Sequence, residues 1–137
     1  QQHPLAQGEF SLEALSRYPL ALPEQFTTVR QLFDLSCQMR GCTLEPVFTC
    51  ENFSTLFHFL LHTPGAVTIC SAFTVAQETR DYALIMRPMG IEQLSHRTLQ
   101  LQTLSGRKQS AALTLLLAFL QQRLSATESE LRQRWLA

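Results

Sequence analysis

The 137-residue chain has no apolar run approaching the roughly 18 residues a membrane-spanning helix needs. It has no excess of charge either. Eleven Lys and Arg balance eleven Asp and Glu, a poor match for binding dominated by phosphate contacts. Cysteines are few (Cys37, Cys42, Cys50, Cys70), too sparse for a disulfide scaffold of this length, and a reducing cytoplasm is the simpler setting. The opening Gln1-Gln2-His3-Pro4 lacks both a secretion signal and an initiator Met; a fragment or a processed chain is expected. There is no Gly-x-Ser-x-Gly, no phosphate-cradling glycine loop and no paired-carboxylate cluster. Enzymatic chemistry is therefore not expected, and neither is a cofactor.

What is present is a globular composition, 45% hydrophobic and 16% charged, sized for one modest domain. Short strand-like and helix-like segments alternate, which predicts α/β architecture. Ser11 is placed to cap a short helix through Leu15, and Tyr18–Leu22 reads as a buried strand closed by Pro23. A helix is predicted over Thr28–Arg40 from the spacing of Val29, Leu32, Phe33 and Cys37, with Gly41 to end it. Leu44–Cys50 is the next strand, near an edge or bulge because of Pro46. Asn52 or Ser54 caps a helix over Thr55–His62, stopped by Pro64-Gly65. The apolar run Ala66–Phe73 predicts a strand covered on both faces. A short helix through Glu78 and a strand over Ala83–Arg87 complete a β-α-β-α-β-α-β order.

Pro88-Met89-Gly90 marks a boundary. Beyond it Thr98–Thr103 alternates as a strand should, with Leu99 and Leu101 on one side and Gln100 and Gln102 on the other. Ser110 caps a helix through Leu124 with a stripe at Leu113, Leu116, Leu117, Leu120 and Leu124. Thr127 and Glu130 have capping-box spacing and predict a separate helix in the tail. One strand and one apolar helix cannot bury their own face. The helix is expected to be covered by a neighbouring chain or a complementary piece of the fold.

The order of these elements resembles the effector-binding domain of LysR-type transcriptional regulators. The resemblance begins at His3-Pro4-Leu5-Ala6 and continues through Ser11–Leu15, Tyr18-Pro19-Leu20 and Glu51–Phe73. It closes on Arg97–Leu101 and Ala111–Leu124, so that residues 3–124 are covered. Two positions depart from the family pattern. Pro64-Gly65-Ala66 stands for the usual Gly-x-Gly turn, and Ser71 for a Pro that commonly ends the buried strand. Gly65 remains able to supply a positive φ from the middle of that turn.

The resemblance implies a periplasmic-binding-protein-like (type 2) fold of two α/β subdomains with an effector in the cleft between them. Residues 1–10 would be a crossover segment and 11–90 subdomain II. Residues 91–124 would be a strand-and-helix piece of subdomain I, and 125–137 a tail. DNA binding would reside in an N-terminal winged helix-turn-helix that is not among these residues. The implied role is a ligand-sensing, dimer-forming regulatory module in the cytoplasm, with a small and anionic effector. A homodimer or tetramer would form through helices 28–40 and 110–124. A solute-binding transport protein of the same fold is the alternative.

Candidate effector contacts are Phe26, Thr27, Thr28, Thr68 and Ser71. The first three stand where a strand gives way to a helix, whose free N–H groups and dipole suit an anion. A Thr there also serves simply as an N-cap. Thr68 and Ser71 fall at the end of the buried strand, where open α/β sheets gather ligands; Thr68 and Cys70 are equally ordinary core residues. His58 and His62 are four apart on a helix, a spacing open to a metal. With Thr55 they form the one polar stripe of that helix, and a solvated face is expected instead. Cys37 falls near the second cysteine of the family's peroxide-sensing branch, but the position nine residues earlier is Thr28. Cys37 is expected to be a buried thiol without a redox role, although a bridge to Cys42 across Gly41 stays open.

Overall fold

A computed structural model describes residues 3–7, 10–75, 84–95 and 98–135. The Ser11 hydroxyl accepts from the Ala14 N–H at 3.2 Å, and a 3-10 turn follows over Glu13–Arg17. The chain then enters strand β1 (Leu20–Pro23), whose four residues are all buried. Continuous apolar character suits its place as the central strand of a three-stranded parallel sheet, ordered β2-β1-β3.

Helix α1 (Thr28–Met39) begins at the Thr27 cap and is followed by Gly41, whose φ of 66° no side-chain-bearing residue adopts readily. Strand β2 (Phe48–Cys50) is shorter than the predicted Leu44–Cys50. Pro46 has no N–H to donate to a ladder, and Val47 makes the first bond, to the Leu20 carbonyl at 2.9 Å. Asn52, not Ser54, caps helix α2 (Phe53–His62) by accepting from the Ser54 and Thr55 N–H groups. Gly65 takes φ 71°, as the departure from Gly-x-Gly requires. Strand β3 keeps only Val67–Thr68 of the predicted run, and helix α3 (Ala72–Val75) starts four residues later. The expected helix around Glu78 and the start of the expected strand at Ala83 lie outside the described residues.

The path β1 to β2 crosses the sheet one way and β2 to β3 crosses it back. With right-handed crossovers, α1 and α2 must lie on opposite faces. Leu20 and Leu22 accordingly share one core with Val29, Phe33 and Cys37 of α1, together with Leu12, Leu15, Ile69 and Ile91. Ala21, between them, points the other way, toward the face where α2 packs across the strands and buries Leu56 and Phe57.

Residues 84–87 form no strand, contrary to expectation. Arg87 instead donates to the Leu5 carbonyl at 2.7 Å, outside the sheet. Ile91 joins the core, and helix α4 (Glu92–Ser95) packs on α1. The first compact unit therefore runs Gln1–Arg97, and the second Thr98–Ala137.

In the second unit Thr98–Thr103 is not a strand. Leu99 and Leu101 are exposed, and alternation without a ladder partner does not make one. Helix α5 (Ala111–Trp135) starts at Ser110, whose hydroxyl accepts from the Leu113 N–H at 3.2 Å. It runs unbroken through Leu124 and through the predicted Thr127–Glu130 capping box. No Gly or Pro interrupts that stretch, and a Glu128–Arg132 ion pair at 2.9 Å spans it. Leu113, Leu116, Leu120 and Leu124 of this stripe are exposed.

Candidate functional site

Parallel pairing of β1 with β3, with Ala21 opposite Thr68, brings the carboxyl ends of both strands to one edge of the sheet. The loop after β1 carries Phe26, Thr27 and Thr28, and the residues ending and following β3 include Thr68 and Ser71. All five predicted contacts thus belong to one edge. In the order β2-β1-β3 the strands β2 and β3 flank β1 on opposite sides, and in doubly wound sheets such a reversal of strand order is the usual ligand position.

Their individual states differ. Thr27 is the N-cap of α1: its hydroxyl accepts from the Arg30 N–H at 3.3 Å and donates to the Glu24 carbonyl at 2.9 Å. The capping role expected of a Thr here is therefore real. Thr28 is exposed in the first turn, and Phe26 is 66% exposed. Ser71 is half-buried, and its carbonyl accepts from the Thr74 N–H at 3.0 Å. Thr68 is the unusual one. Its hydroxyl oxygen is buried without a hydrogen-bond partner among the described residues, a state that costs about 1–3 kcal/mol if nothing pairs it.

Arg30 was not singled out from the sequence, although Arg30 and Asp34 have the helical i, i+4 spacing that signals a pair. Its side chain is almost fully buried beneath the first turn of α1. Nε donates to both Asp34 carboxylate oxygens at 2.8 and 2.9 Å, and Nη1 to the Pro23 carbonyl at 3.1 Å. A fixed cation thus sits beside the positive end of the helix dipole, offset in part by Asp34.

Other features lie elsewhere. A cavity of about 440 Å³ opens at the amino edge of the sheet, lined by residues including Leu15, Tyr18, Leu20 and Glu45, away from the candidate contacts. His58 and His62 are both exposed, with rings stacked at 6.4 Å, and no metal-holding group occurs among the described residues. None of the four cysteines forms a disulfide. Burial chiefly, then a hydrogen bond with Cys42 and the charges of Cys42 and Asp34, push the Cys37 thiol up to about 12 against the opposing pull of Arg30. Such a thiol stays protonated near neutral pH and is a poor nucleophile.

Residues 1–125 match the LysR substrate binding domain family. The chain belongs to that family. No curated protein and no solved structure matches it. A LysR substrate binding domain is a ligand-binding module of regulators and not of enzymes, and the small parallel sheet accords with the periplasmic-binding-protein-like fold the family implies. The match ends inside α5, whose last turns, 126–135, lie beyond it. Among the described residues no helix is long and apolar enough to cross a membrane.

Proposed function

We propose that this LysR substrate binding domain senses a small anionic effector at the carboxyl edge of its sheet, as the cytoplasmic regulatory module of a DNA-binding protein. The buried, unpaired hydroxyl of Thr68 carries this reading. A ligand oxygen that bonds it removes a desolvation cost the free protein bears. The open N–H groups at the start of α1, with Thr28 beside them, supply donors for a carboxylate. Effector binding shifts the balance between two closures of the regulatory domain, and so between two arrangements of attached DNA-binding arms.

A second copy is the proposed cover for the apolar surface. Leu35 and Met39 on α1 are 45% and 65% exposed, and α5 presents its open leucine stripe. Packing α1 of one copy against α5 of another would bury both. The family match favours this regulator over a transport component.

Calorimetric titration with a panel of small carboxylic acids tests the ligand class. Weak binding, lost in Thr68→Val, supports it. In the family's two-subdomain arrangement the opposite wall of the cleft supplies the other polar contacts, so tight binding by this chain alone would contradict the one-wall site.

A further inference from the structure

Pro4–Ala6 forms a single 3-10 turn pinned to the rest of the first unit at two points. At one point the His3 ring is held through both nitrogens. Nδ1 accepts from the Leu5 N–H at 3.1 Å, and the opposite nitrogen, Nε2, lies 3.2 Å from the Gly65 carbonyl. A carbonyl only accepts, so Nε2 is the donor and carries the neutral ring's proton. The ring also packs on Tyr18 with centroids 4.9 Å apart. At the other point Arg87 donates to the Leu5 carbonyl at 2.7 Å. Leu5 thus joins a histidine on its amide side to the returning segment 84–90 on its carbonyl side.

We propose that His3 is a protonation-sensitive latch that ties Pro4–Ala6, the turn at Gly65 and the segment at Arg87 together. A proton added at Nδ1 turns its acceptor into a donor facing the Leu5 N–H. That bond is lost, while the Nε2 bond to Gly65 remains. The turn keeps its Ala6 N–H to His3 carbonyl bond at 2.8 Å but loses its side-chain cap, and the Leu5 peptide is freed to move with Arg87. Among the described residues, Tyr18 packs on the His3 ring and Arg87 donates to the Leu5 carbonyl. Neither replaces Nδ1 as the acceptor for the Leu5 N–H, because an arginine has no acceptor atom and the Tyr18 contact is through the ring. The device is independent of the ligand site at the opposite edge of the sheet.

Amide hydrogen exchange of the full chain, read by NMR at about pH 7.5 and about pH 5.5, tests it. Protection of the Leu5 amide, corrected for the intrinsic rate, is expected to fall about 3- to 10-fold at the lower pH, the loss of one hydrogen bond. Amides over 84–90 should loosen with it. His3→Asn places an amide oxygen where Nδ1 stood, and it should keep Leu5 protected at both pH values. His3→Ala should leave Leu5 unprotected at both. Equal protection of wild-type Leu5 at the two pH values, or an unchanged pH dependence in His3→Asn, would overturn the proposal. So would segment 84–90 failing to follow Leu5.

Discussion

Arg30 reaches back from the first turn of α1 to the carbonyl of Pro23, the last residue of β1, at 3.1 Å. One guanidinium therefore joins the end of the central strand to the start of the helix that follows it. The loop between them, which carries Phe26 and Thr27, is closed at its base by this bond and by the Thr27 cap.

Arg30→Met should destabilise the protein by about 2 kcal/mol, because a buried charge-assisted bond to Pro23 is lost. Asp34→Ala should cost roughly 1–2 kcal/mol; Asp34 is half-exposed, which screens the pair, but the cation left behind is buried. Glu128→Ala, at an exposed pair, should cost about 0.5 kcal/mol or less. Urea unfolding of the three variants checks the ranking. Equal effects at Asp34 and Glu128 would show that the burial of Arg30 is without energetic consequence.

Thr68→Val should leave the free protein as stable as wild type, or more so by about 1 kcal/mol, since a buried hydroxyl without a partner is exchanged for a methyl of similar shape. The same change should weaken binding of any carboxylate that pairs with it. Thermal unfolding with and without ligand separates the two effects. A marked loss of stability in the free protein would mean that the hydroxyl already has a partner.

The Cys37 thiol sets a stability loss on the alkaline side. In the unfolded chain a thiol ionises near pH 9, whereas in the folded protein burial holds this one protonated to about 12. Between these values the unfolded state binds fewer protons, so stability falls as pH rises. Unfolding followed at about pH 8 and about pH 10 should show a smaller alkaline loss in Cys37→Ala than in wild type. Alkylation near neutral pH should reach Cys37 more slowly than the half-buried Cys42, Cys50 and Cys70.

Leu116 and Phe119 on α5 are more than half exposed. Replacing both with Glu should leave the helix content of the chain within about 10% of wild type, since exposed positions seldom matter to folding. It should abolish self-association if α5 meets a second copy. Analytical ultracentrifugation decides: an unchanged oligomeric state removes α5 from the interface.

Local chemistry was readable wherever a short-range rule acts alone. The positive φ at Gly41 and Gly65 depends on a few neighbouring residues and is legible in the sequence, whereas the choice of Asn52 over Ser54, and of Thr27 as the cap, came from the structure. The grouping of Thr27–Thr28 with Thr68–Ser71 at one sheet edge was readable too, because strand–helix alternation implies parallel pairing. Elements that depend on a partner were not. Thr98–Thr103 has the period of a strand and forms none, and Thr127–Glu130 has the spacing of a helix start and lies inside α5.

The sequence by itself determined the class of the chain, the start of α1, the end of α2 and the family, because apolar period, stop signals and element order are local or collinear properties. Tertiary structure alone decided which polar groups go unpaired and which charges are buried. Thr68 looked like one more hydroxyl until β1 and the core closed around it, and Arg30 like one more surface arginine. His3 likewise read as the first residue of a motif. Only the fold brings Gly65 to one of its nitrogens and Arg87 to the residue held by the other, because those partners are 62 and 82 positions away along the chain.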